Sequence, residues 1–178
     1  MAIALIILSV LLWIGSLWLL TSSRQMLAPA ASFAALYLIS LAKIDHEVVL
    51  PVNSVILIGW LAMTLVVMCA TMLQAPALQA QTRGTGYITA GAVVGMVVGL
   101  LGYTVTTSVS MMYSIMVLAT AVGTFLGFLL FTRTPKGEDV NLASGRFFKY
   151  LLAKGFPAAI TVMMMGVAAV LAIVIIQY

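Results

Sequence analysis

At 178 residues, 64% hydrophobic and only 7% charged, the chain lies far from soluble domains, in which about 45–50% of residues are apolar and about 25% are charged. Eight basic and four acidic side chains cannot coat a water-soluble surface of this length. Soluble globular, coiled-coil, disordered, disulfide-scaffold and nucleic-acid-binding classes are therefore excluded together.

What remains is an all-α polytopic integral membrane protein, a single domain over residues 1–178, in which each span takes about 20 apolar residues. The first apolar stretch, 2–20, ends at Thr21-Ser22-Ser23-Arg24. It lacks a positive n-region and is too long for a signal-peptide h-region, so it reads as a span. The second, 26–42, is the shortest; Pro29 suits its first turn, and it stops at Lys43-Ile44-Asp45-His46-Glu47. The third, 51–73, carries Cys69, the single cysteine, which excludes an intrachain disulfide. The fourth, 87–105, is joined by the short hydroxyl-rich turn Thr106-Thr107-Ser108 to the fifth, 111–131, which makes those two antiparallel neighbours. The longest polar segment precedes the last span, 156–176. Helices are required, because lipid offers no partner to an open strand edge, and the alternating ten-residue segments of a barrel are missing.

Basic residues orient such a bundle. Arg24, Arg83, Arg133, Lys136, Arg146, Lys149 and Lys154 follow the first, third and fifth spans, and Lys43 alone falls on the other side. The positive-inside rule then places those three loops in the cytoplasm of a bacterial-type inner membrane and both termini outside it. Within the third cytoplasmic segment, residues 141–154 read as a helix lying on the lipid surface. Phe147, Phe148, Leu151 and Leu152 form its apolar face, and Arg146, Lys149 and Lys154 meet anionic headgroups. The same residues also read as an extension of the sixth span.

Gly91, Gly95 and Gly99 recur at four-residue spacing in the fourth span, and Ala119, Gly123 and Gly127 in the fifth. Small residues at this period let helix backbones approach closely where lipid removes the hydrophobic drive. The contact is read as intrachain, with a contact between subunits as the alternative. Asp45, His46 and Glu47, with Asn53 just inside the third span, form the candidate site in the outer loop, since histidine titrates near neutral pH. A solvated loop that caps two helices is the competing reading. Thr82-Arg83-Gly84-Thr85-Gly86 lacks the lysine and spacing of a P-loop. The methionines around Cys69 and in Met163-Met164-Met165 suit packing better than copper, and no metal site or cofactor is expected.

Ionisable residues are missing from the middle of every expected span, which argues against proton relays and voltage sensors. One histidine in an outer loop supports no nucleophilic constellation, so an enzyme is not expected. Two functions fit: a transport-related protein (carrier, channel or membrane component of a transporter), or a non-catalytic subunit of a larger membrane complex. Expected partners are the lipid bilayer and either further copies of the chain or other membrane subunits, with no nucleic acid.

Overall fold

In lipid a backbone amide finds a partner only inside its own helix, and the chain is accordingly helical almost throughout. The computed structural model describes residues 2–44, 47–50, 52–104, 106 and 108–177. Its helices are α1 (Ala2–Thr21), α2 (Ala28–Leu41), α3 (Ser54–Met72), α4 (Pro76–Ala80), α5 (Thr85–Leu100), α6 (Val109–Thr132), α7 (Phe147–Tyr150) and α8 (Phe156–Gln177). Two-residue strands, β1 (Lys43–Ile44) and β2 (Glu47–Val48), pair antiparallel in the loop after α2.

Four helical stretches are long and apolar enough to cross a membrane: Ala2–Thr21, Ser54–Met72, Val109–Thr132 and Phe147–Ile175. The second and fourth expected spans are shorter apolar helices, Gln25–Leu41 and Thr85–Leu100. At 1.5 Å per residue the 16 residues of α5 reach about 24 Å, against a hydrocarbon thickness of about 30 Å. Short 3₁₀ turns lengthen both, Gln25–Leu27 before α2 and Leu101–Thr104 after α5.

The expected surface helix over 141–154 is not a separate element. A 3₁₀ turn covers Glu138–Val140, and the chain then turns into α7, which continues through a π-helical turn, Leu151–Gly155, into α8. Here the Phe156 amide donates to the Leu151 carbonyl, five residues back. The cause lies one residue on. Pro157 has no N–H to offer, and its ring would crowd the Ala153 carbonyl in a regular α-helix, so the turn before it widens. The inward face of this stretch is Phe147, Tyr150, Ala153 and Lys154, whereas Phe148 is 74% exposed.

The central helix is α8, which packs against α1, α2, α3, α5 and α6. Two apolar clusters lie around it. One, near the basic loops, gathers Leu20, Ala28, Ile88, Phe128, Phe131, Phe147 and Tyr150. The other, towards the opposite end, gathers Leu36, Trp60, Met112, Met116, Met164 and Val167. The first includes the ends of α1 and α6 and the start of α7, so the loops that carry Arg24, Arg133 and Arg146 meet at one end of the bundle. Tyr150 lies face to face with Phe128, ring centres 5.6 Å apart, which fixes α7 against α6.

The glycine faces of α5 and α6 lie against each other within the chain. A methyl group at Gly91 would strike the Gly123 carbonyl and sit 2.9 Å from the Gly127 Cα; one at Gly95 would strike the Ala119 carbonyl. Gly99 meets the Met116 backbone in the same way. The pairing runs antiparallel along both helices. Gly84, which opens α5, has φ of 77° and rests on the Phe131 ring; a side chain there meets both backbone strain and the ring.

Gly95→Leu and Gly123→Leu each push a side chain into facing backbone. Overpacking of this kind costs about 1–3 kcal/mol, and more where main chain is struck. Both variants should lose several degrees in thermal unfolding and emerge as aggregates in gel filtration. Gly145→Leu is the control, since Gly145 is exposed between α6 and α7 and a Cβ there meets nothing within 4 Å, and its melting temperature should match the parent. Similar behaviour of all three would contradict the packing account.

Candidate functional site

Two features stand out once the helices are placed: a lysine buried at the basic end, and a lateral groove between α3 and α6. Lys154, expected at the lipid surface, is 2% exposed. The π turn that joins α7 to α8 carries it into the bundle, where its Nζ donates to the Gln79 backbone carbonyl at 2.7 Å. Gln79 sits on α4, and its side-chain amide donates to the carbonyls of Thr71 (3.0 Å) and Gln74 (2.8 Å) at the end of α3. The Thr71 carbonyl also accepts from the Gln74 amide at 3.1 Å, so the Gln79 side chain adds to the closure of the helix end. Four residues before Lys154, the Tyr150 hydroxyl donates to the Arg83 carbonyl. One face of a single helical turn therefore ties the loop between α3 and α5 at two points.

Among the described residues the ion pair is Arg83 with Asp139 at 3.9 Å, both about half exposed; an exposed pair of this sort contributes little. Lys154 is held by a carbonyl dipole rather than a carboxylate. Burying a cation this way is costly, and such residues are commonly functional in membrane proteins. Arg146 and Lys149 are exposed at the same end. They flank a cleft of about 290 Å³ whose walls include Leu78 and Asp139.

The groove lies on α8. α3 leans on α2 and α8 and leaves space towards α6. Nearest the basic end is a cleft of about 360 Å³ lined by Thr124, Phe125, Leu151, Gly155 and Ala159. Next comes one of about 290 Å³ lined by Gly59, Trp60 and Ile160. The last, about 520 Å³, is lined by Val109, Ser110, Ser114 and Leu171. Met63, Val117, Ile160 and Met163 wall both the first and the second, and Ile56 and Tyr113 both the second and the third, so the three lie in a row along α8.

Two of the wall hydroxyls are engaged with their own helix. The Thr124 hydroxyl donates to the Thr120 carbonyl and that of Ser114 to the Ser110 carbonyl. In the bundle interior Ser9, Ser16, Thr71 and Thr120 each donate to a carbonyl three or four residues back, while the buried hydroxyls of Thr89 and Thr161 have no partner. Ser32 reaches across to the Thr161 carbonyl of α8 at 3.0 Å.

No family model, curated protein or solved structure matches this chain. The site must be read from its own chemistry.

The other residues singled out in the sequence fall as follows. Asp45 and His46 lie outside the described residues, as does the side chain of Glu47. Asn53 caps α3, accepting from the Val55 amide at 2.9 Å. Thr85 is tied to the Thr82 carbonyl at 2.9 Å. Met163 and Met164 are core residues, and Cys69 is exposed on α3. Sequence reasoning missed the inward turn of Lys154 and the part played by Gln79. A signal existed for the first, since Lys154 and Tyr150 share a face in an otherwise apolar run; Gln79, in a polar loop, gave none.

Lys154→Met replaces a buried cation by an apolar side chain of similar volume, a change that is often neutral or stabilising. Its expected outcome is a melting temperature within a few degrees of the parent but faster tryptic cleavage after Arg83, because Gln79 is released. Tyr150→Phe leaves the Arg83 carbonyl without its donor, at about 1 kcal/mol, and should accelerate the same cleavage. Unchanged cleavage in both variants would remove the loop-tying role.

Proposed function

We propose that the chain is a six-span, non-enzymatic protein of a bacterial-type inner membrane, with a transport-related role towards a solute dissolved in the bilayer rather than in water. The row of mainly apolar clefts along α8 supports this reading. A water-borne ion or polar solute needs a file of free polar groups, whereas most of the interior hydroxyls named above are already engaged with main chain. A lipid-like solute needs none, and can enter sideways between α3 and α6.

Support for six spans comes from the 3₁₀ turns. Their rise of about 2.0 Å per residue brings α5 with Leu101–Thr104 to about 32 Å, close to the hydrocarbon thickness. α5 is also paired along its length with α6, which is itself long enough to cross. The meeting of the basic loops at one end supports a cytoplasmic position for them and an outer position for both termini. Arg146 and Lys149, exposed at that end, are placed to meet anionic headgroups.

A non-catalytic subunit, in a homo-oligomer or with other membrane proteins, is the second reading. Gly15 on α1 favours it: with nothing within 4 Å of a Cβ, it leaves a smooth patch on which another helix can lie. In this reading the outer-loop residues Asp45, His46, Glu47 and Asn53 serve as a contact rather than a ligand site.

Reconstituted vesicles test the proposal. Transbilayer movement of a headgroup-labelled fluorescent phospholipid, followed by dithionite bleaching, should be several-fold faster than in protein-free vesicles. Equal rates, together with stable co-purification of other proteins in mild detergent, would leave the subunit reading in place of transport.

A further inference from the structure

We propose that the cleft between the start of α5 and the turn after α6 binds a phosphate group, held by the side chains of Arg83 and Lys136. The phosphate is carried by a lipid headgroup or by a small water-borne molecule. This site is independent of the transport reading above.

Two turns build this cleft. Gly84, with φ of 77°, lies on the Phe131 ring and so sets Arg83 over the end of α6. The Arg83 carbonyl accepts from the Tyr150 hydroxyl, which fixes its main chain, while the guanidinium stays about half exposed. After α6 the Thr134 amide and hydroxyl both donate to the Phe131 carbonyl, and the Gly137 amide donates to the Thr134 carbonyl at 2.9 Å. That turn brings Lys136 to line the same space. The cleft measures about 560 Å³.

Charge selects an anion. Arg83 and Lys136 line the cleft, and among the described residues no carboxylate does so. Asp139 stands 3.9 Å from Arg83 and lines the neighbouring cleft with Arg146 and Lys149. A half-exposed pair at that distance is weak, so the guanidinium can be drawn to a stronger anion. Phosphate fits better than carboxylate. One guanidinium fork satisfies a carboxylate, whereas a phosphate has oxygens left over for a second cation. Arginine supplies the fork and lysine the point charge. Basic residues that only orient a chain in the membrane need lie no more than somewhere along the loop. Here two of them, from separate loops, are brought to one cleft by hydrogen-bonded turns. The remaining wall is aromatic, Tyr87 beside Phe131 with ring centres 6.1 Å apart, and a wall of low polarity strengthens the attraction between the cations and an anion.

The amine of Lys136 reports on the site. The protein in mild detergent, at fixed ionic strength, is acylated with a limiting amount of an N-hydroxysuccinimide ester and digested. Mass spectrometry then compares labelling of Lys136 with that of Lys43 in the loop after α2, both of which are exposed. Inorganic phosphate and dihexanoyl phosphatidylglycerol are titrated separately, with sodium chloride and dihexanoyl phosphatidylcholine as controls. At least one of the two phosphates should lower Lys136 labelling severalfold and saturably while Lys43 stays unchanged, and neither control should do so. Protection by phosphatidylglycerol alone assigns a lipid headgroup, protection by inorganic phosphate alone assigns a water-borne ligand, and protection by both assigns a site open to either. Arg83→Gln should abolish the protection. Asp139→Asn removes the competing carboxylate and should move half-protection to a severalfold lower concentration, a gain that misfolding cannot imitate. The site is overturned if neither phosphate protects, if a control protects equally, if protection survives Arg83→Gln, or if Asp139→Asn brings no tightening.

Discussion

Lipid offers no hydrogen bond, and that constraint shapes every polar decision in this protein. Hydroxyls that would turn to water elsewhere turn back to their own helix, as Ser9, Thr71 and Thr120 do. The frayed end of α3 is closed by the Gln79 amide. Even the cation drawn inward, Lys154, is met by a main-chain carbonyl. The outcome is an interior in which most hydroxyls are engaged with main chain, with Thr89 and Thr161 as exceptions, and a bundle held by shape more than by polar pairing.

Shape is supplied mainly by two devices. On α5 and α6, glycine and alanine remove the side chains that would hold the backbones apart, so dispersion contacts accumulate along the full length of the pair. On α8, a proline displaces the regular hydrogen-bond ladder and the π turn before it rotates the preceding residues. That rotation brings Tyr150 and Lys154 beneath the α3–α5 loop while Leu151 and Gly155 face the groove. One local irregularity therefore sets both features that stand out at the site.

The two features differ in what they offer chemistry. The lysine is occupied in holding a loop and lines none of the described clefts, so its role is positional. The clefts beside α8, by contrast, are mainly apolar.

Composition alone pointed to lipid as the solvent and to the helical class, because 64% apolar residues leave too little polar surface for water. The glycine spacing showed which faces of α5 and α6 are smooth, since a four-residue repeat is a property of one helix. Asn53 was legible as polar but not as a cap, a role that depends on where the helix begins. Three-dimensional packing decided the rest. The expected surface helix became the start of α8 because Phe147 and Tyr150 gain more from aromatic partners on α6 than from headgroups. Lys154 followed them inward, as part of the same turn. The clefts beside α8 left no trace in the sequence, for they depend on how α3 and α6 are spaced, and the spacing of segments far apart in the chain has no local signature.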